Sequence, residues 1–149
     1  MGKVMGKIRL TNATDHGNAQ AGGLAAGDVR TEEIEAIVDT GATTLVLPAD
    51  VVERLGFAVE GQRFVKYADA RREAIPWVSG VRLEILGRAM TCDALVTPAG
   101  STALIGQIPL EALDLIVDPK NRDVRVNPES PDAPLLDLLG FHTGASPPP

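Results

Sequence analysis

Aromatic side chains are scarce in this chain. Three Phe, one Tyr and one Trp make up 3% of its 149 residues. A core must therefore be built from aliphatic side chains, and a hydrophobic content of 44% supplies them. There is a single cysteine, Cys92, which excludes an internal disulfide framework and fits a reducing compartment. Cys92 lies in Ala89–Val96, a stretch that reads as a strand, where it suits a small core position better than a nucleophile. The two histidines, His16 and His142, have no spacing that would build a metal site with Cys92, so neither a metal nor an organic cofactor is implied. No apolar run approaches the roughly 20 residues of a membrane span, and the opening residues lack the apolar core of a signal peptide. Basic residues are outnumbered: 14 Lys and Arg against 20 Asp and Glu leave a net charge of −6. That balance argues against nucleic acid or an anionic membrane as partner. The expectation is a cytoplasmic protein of one domain, long enough for a real core.

What is present is organised around Ile34–Pro48. A short β-branched run, Ile37-Val38, suits a buried strand. Asp39-Thr40-Gly41 follows, then a second apolar run, Leu45-Val46-Leu47, stopped by Pro48. A carboxylate at the end of a hydrophobic strand is an expensive placement, which calls for a neighbouring donor or a shared proton. The tripeptide alone also fits a simple turn, with Asp39 capping backbone N–H groups and Gly41 supplying a left-handed φ.

Along the chain, Lys3–Leu10 alternates and reads as an edge strand. Residues 12–28, rich in Gly, Ala, Asn and Asp, read as a mobile loop before the alternating stretch Val29–Val38. Val51, Val52 and Leu55 fall at helical spacing, with Gly56 as a stop. Phe64–Val78 reads as a hairpin with a solvated tip at Ala68–Glu73. Val81–Leu86 and Met90–Val96 form a further pair of strands about Gly87-Arg88, and Ala103–Gly106 is an apolar strand ending in Gly. Pro109 opens a short helix to Leu113. Leu115–Pro119 and Asp123–Val126 make a last hairpin. From residue 128 to 149, Pro and Gly accumulate and the tail reads as irregular, with an apolar patch, Leu135-Leu136-Asp137-Leu138-Leu139, able to dock on the body or on a partner. Many short strands, one or two short helices and no βαβ rhythm predict an all-β closed or sandwich-like domain.

The order of parts resembles the retropepsin-like (clan AA) aspartic proteases, in particular bacterial aspartyl-protease-like members. The resemblance rests on Asp39-Thr40-Gly41-Ala42, the Phe64–Val78 hairpin in the place of a flap, and Leu104-Ile105-Gly106 followed by a short helix. The phrase from Leu104 to Pro119 is similar to the family's C-terminal signature, and the match spans roughly residues 3 to 127. It implies a closed β-barrel, residues 1–127, acting as a homodimer on a peptide or protein substrate. Such chemistry needs two carboxylates sharing one proton. The chain has one Asp-Thr-Gly, so the resemblance implies that Asp39 pairs with its copy in a second subunit. In that reading Thr40 braces the two loops, Gly41 lets backbone approach the carboxylates, and Ala42 is the usual small residue. The flap tip, Tyr67, Ala68, Asp69, Ala70 and Arg71, closes over the peptide, although no glycine lies between Phe64 and Val78, unlike viral flaps. Tyr67 and Trp77 either line subsites or simply pack. The alternative is a catalytically silent module of the same fold for dimerisation or peptide binding.

Overall fold

The computed structural model describes residues 3–140. His142 and the end of the Pro- and Gly-rich tail, from residue 141 on, lie outside that range. The fold is built on a ring of six strands. Strand β1 (Met5–Asn12) runs antiparallel to β2 (Thr31–Val38), from Met5 opposite Ile37 to Thr11 opposite Thr31. β2 lies parallel to β7 (Ala103–Ile105), which meets β3 (Leu45–Pro48) antiparallel at Leu104 and Val46. β3 is parallel to β6 (Arg88–Thr97), and β6 is antiparallel to β5 (Arg72–Ile85). β5 then returns to β1, from Arg9 opposite Glu84 to Asn12 opposite Val81, and the ring closes. β4 (Val59–Lys66) stays outside the ring, paired only with β5. This is the expected all-β closed barrel.

Pattern and burial agree where one face is wet. Ile8 and Leu10 of β1, and Val4 just before it, point inward and are buried, as their alternation predicts. β3 has all four residues buried, because a strand flanked by β7 and β6 and covered on both faces has no wet side. Ile8, Leu10, Leu45, Leu47, Val78, Val81, Leu83 and Ile105 are sealed, so the core is aliphatic, in keeping with the shortage of aromatics.

Four expectations are corrected. β1 is not an edge strand: it is paired on both sides, which is what barrel closure requires. The stretch 12–28 is not a structureless loop. It folds into helix α1 (Ala13–Gln20) and a single 3-10 turn, Ala26–Asp28. The α1 sequence has no amphipathic pattern to betray it; it is fixed from outside. Asn12 Oδ1 caps Asp15 N at 3.1 Å while its Nδ2 donates to Leu55 O at 2.9 Å. Asp15 accepts from Arg30 Nε at 2.8 Å and Nη2 at 3.0 Å, and this fork holds its carboxyl at about 2. With α2 (Ala49–Leu55) and α3 (Gln107–Ala112), the described residues hold three helices rather than one or two. Finally, Val81–Leu86 is not a separate strand: β5 runs unbroken from the hairpin into the barrel, with a register shift between Val78 and Val81 where Gly80 adopts φ 70°.

The remaining elements match closely. Val51, Val52 and Leu55 are the buried face of α2, and Gly56 ends it at φ 70°. α3 begins at Gln107, two residues before Pro109, which sits in the first turn where its missing N–H costs nothing. β8 (Leu115–Asp118) and β9 (Asp123–Val126) form the last hairpin as a separate two-stranded sheet.

Candidate active site

The topology brings the two signature stretches together. β2 and β7 run parallel with Val38 opposite Ile105, so Asp39 and Gly106 leave the sheet side by side. Asp39 N donates to Ile105 O at 2.9 Å, which fixes the point where the chain turns away from the strand. The following turn is closed by Ala42 N to Asp39 O at 3.1 Å and by Gly41 N to Asp39 Oδ1 at 2.9 Å. The carboxylate is half-buried and keeps an outward face, while Thr40 and Gly41 are exposed.

Gly106 locks the loop from the other side. It is buried, and a Cβ there would stand 2.4 Å from Thr44 O, 2.6 Å from Ala42 O and 2.6 Å from Thr44 N. Only glycine allows the two backbones this approach. Immediately after it, Gln107 N donates to Ala42 O and Ile108 N to Thr43 O, each at 2.8 Å. The first N–H groups of α3, which have no partner within the helix, are thus satisfied by the Asp39 loop. Leu104 and Ile105 contribute as strand: Ile105 is sealed in the core, and Leu104 is half-buried opposite Ile37 and Val46.

The hairpin β4–β5 begins earlier than its sequence pattern, at Val59, and its turn spans Tyr67–Arg71. Tyr67 N donates to Arg71 O and Ala70 N to Tyr67 O, each at 2.9 Å, while Arg71 N donates to Asp69 Oδ1 at 3.0 Å. Ala70 takes φ 69°, the left-handed conformation for which glycine would be the usual choice. Arg71 lies 4.4 Å over the Tyr67 ring. The tip, Ala68 included, is exposed. Trp77 is packing at the base of the hairpin: half-buried, under the Arg63 guanidinium at 3.7 Å, with Arg63 also reaching Asp93 at 3.3 Å. Phe64, in contrast, is 82% exposed.

Two features escaped the sequence reading. Thr43 and Thr44 complete the loop through their backbones, so their residue types carry no signal. The cluster around Arg88 and Asp114, just past the C-terminal end of α3, joins residues 26 apart in sequence and had none either. Cys92 is half-buried against the core, and desolvation there pushes its thiol up to about 12, in keeping with a packing role. Among the described residues no three His, Cys, Asp or Glu side chains converge on a point that could hold a metal ion, and no helix is long and apolar enough to cross a membrane.

A closed six-stranded barrel whose Asp-Thr-Gly loop packs against a second glycine from a parallel strand defines a retropepsin-like barrel. Residues 24–108 match the family model described as aspartyl protease, and the chain belongs to that family. The matched span runs from just before the 3-10 turn to the start of α3, leaving out β1, the β8–β9 hairpin and the tail. No curated protein matches the sequence.

Proposed function

We propose that the protein is an aspartic endopeptidase whose catalytic pair consists of Asp39 from each of two subunits. The observation that carries this reading is the double backbone lock on the Asp39 loop: Ile105 O on one side, the Gly106 contact on the other. A carboxylate that merely capped a turn has no need of such a frame. Catalysis does, because a carboxylate displaced by about 1 Å loses rate by orders of magnitude.

In the dyad, two carboxylates a few Å apart share one proton and titrate as a unit. The ionised member takes a proton from water as it attacks the peptide carbonyl; the protonated member gives its proton to the carbonyl oxygen. Gly41, with no side chain, leaves room beside Asp39 Oδ1, and Thr40 braces one loop on the other. The hairpin tip Tyr67–Arg71 closes over the peptide and keeps water out. Residues 1–127 are the protease unit and 128–149 an appended tail; a single cysteine, with no partner for a disulfide, fits a reducing compartment such as the cytoplasm.

The test is cleavage of a mixed peptide library between pH 4 and 7 by wild type and Asp39→Asn. Asn has the shape of Asp but cannot relay the proton. The expected result is a loss of about 10³-fold or more in the variant, with the dimer intact. Wild-type activity is expected to be highest at acidic to near-neutral pH, where the pair retains its proton. An Asn variant that still cleaves, or a rate that keeps rising above pH 8, overturns the dyad. A dimer that cleaves nothing points to the silent module of the same fold.

A further inference from the structure

The described part of the tail has no regular element after β9, yet its backbone is held. Arg88, buried at the start of β6, donates from Nη1 to Leu113 O at 2.9 Å and Asp114 O at 3.0 Å, and from Nη2 to Ser130 O. Asp114, at φ 52°, turns its carboxylate onto the same segment. Its Oδ1 accepts from Asn127 Nδ2 at 3.1 Å; its Oδ2 accepts from Ser130 Oγ and from Leu135 N, the latter at 3.0 Å. These donors hold the Asp114 carboxyl below the usual carboxylate range.

What the clamp presents is apolar. Leu135, Leu136, Leu138 and Leu139 are 65, 62, 72 and 87% exposed. Ordering a segment costs conformational entropy, and burial recovers little of it while four leucines stay mostly in water. A strap that served only to cover its own barrel would turn them inward. Leu135 and Leu136 instead form one wall of an open cleft of about 860 Å³, whose other walls are α3, with Ile108 half exposed, Asp114 with the start of β8, and Thr40 of the Asp39 loop.

We propose that this cleft and the leucine segment are a subunit contact filled by a second copy of the chain, with Asp114 as the positioning residue that sets the segment in place. The proposal rests on the dyad reading for its choice of occupant. Two Asp39 carboxylates within a few Å force the adjacent exposed Thr40 residues of both copies into contact. The cleft that starts at Thr40 is therefore continuous with that contact. A two-fold axis there presents the same cleft and the same leucines on both copies, as a self-complementary interface requires.

The experiment is sedimentation equilibrium of the full chain alongside the cleavage assay, for wild type, Leu136→Asp and Asp114→Gly. Glycine tolerates φ 52° and removes the latch without straining the turn. Leu136→Asp is expected to raise the dimer dissociation constant at least tenfold with an unchanged far-UV spectrum, and Asp114→Gly to produce part of that rise. A dissociation constant unchanged in Leu136→Asp overturns the proposal. So does a raised KM with an unchanged dimer, since the cleft would then hold substrate. Both leave a dimer with Asp39-dependent cleavage, and the dyad reading survives them. A wild type that cleaves as a monomer overturns both. A wild-type dimer that cleaves nothing, yet falls apart with Leu136→Asp, removes the protease and keeps the contact.

Discussion

The Asp39 loop and the β4–β5 hairpin tip are both short, polar-ended turns, and they are held in opposite ways. The loop is fixed by other parts of the chain: Ile105, Gly106, Gln107 and Ile108 all meet its backbone from more than 60 residues away in sequence. The tip is fixed only by itself, through Tyr67, Asp69, Ala70 and Arg71. One is framed by the barrel and cannot shift without disturbing it. The other is anchored in two strands, one of them outside the ring, and its turn is closed by its own residues alone. A site that must hold a carboxylate still and let a peptide in needs both kinds of turn.

Substitutions can break that comparison or sharpen it. The largest effect is expected at Gly106→Ala, where the added methyl meets backbone atoms that cannot turn aside. A loss of about 3 kcal/mol in urea denaturation is expected, at the upper end for overpacking. A loss under about 1 kcal/mol would mean that the loop yields and is not locked. Next comes acid. The Asp15 carboxyl is held at about 2 by Arg30, below its unfolded value of about 4. The depressed pKa contributes stability that is fully present above pH 4 and lost as pH falls toward 2. Asp15→Asn should be less stable than wild type at pH 7 and the gap should narrow below pH 4; a gap independent of pH would deny the ion pair its role in fixing α1. Phe64→Ser, at a side chain in water, should leave stability within about 0.5 kcal/mol while raising KM if the hairpin contacts the peptide. A large fall in stability would show that the hairpin is framed like the loop. The smallest effect is expected at Ala70→Gly. Relief of the left-handed alanine and the greater freedom of unfolded glycine are each about 1 kcal/mol and oppose one another, so calorimetry should find the melting temperature nearly unchanged.

How much of this was legible in sequence follows from how local each constraint is. α2 was readable because Val51, Val52, Leu55 and Gly56 carry both spacing and stop. β1 was readable as a strand from its alternation but not as one paired on both sides, since the second pairing depends on β5, about 70 residues away. α1 was not readable: its helix is imposed by Asn12 and by an Arg30 beyond its end. In the site, Asp39-Thr40-Gly41 and Leu104-Ile105-Gly106 stood out as separate phrases. That they touch, and that Gly106 is the contact, depended on the parallel pairing of β2 with β7.

The sequence by itself determined the aliphatic strands, the turn that ends β2 in a carboxylate, and the presence of only one such turn, because each is written in residue type and spacing within a few positions. Only the tertiary structure decided how the ring closes, which glycine admits backbone against the Asp39 loop, and where Arg88 and Asp114 hold the tail. Those are contacts between segments far apart in the chain, and a pairing register of that kind is settled by the packing of the whole barrel rather than by any stretch of it.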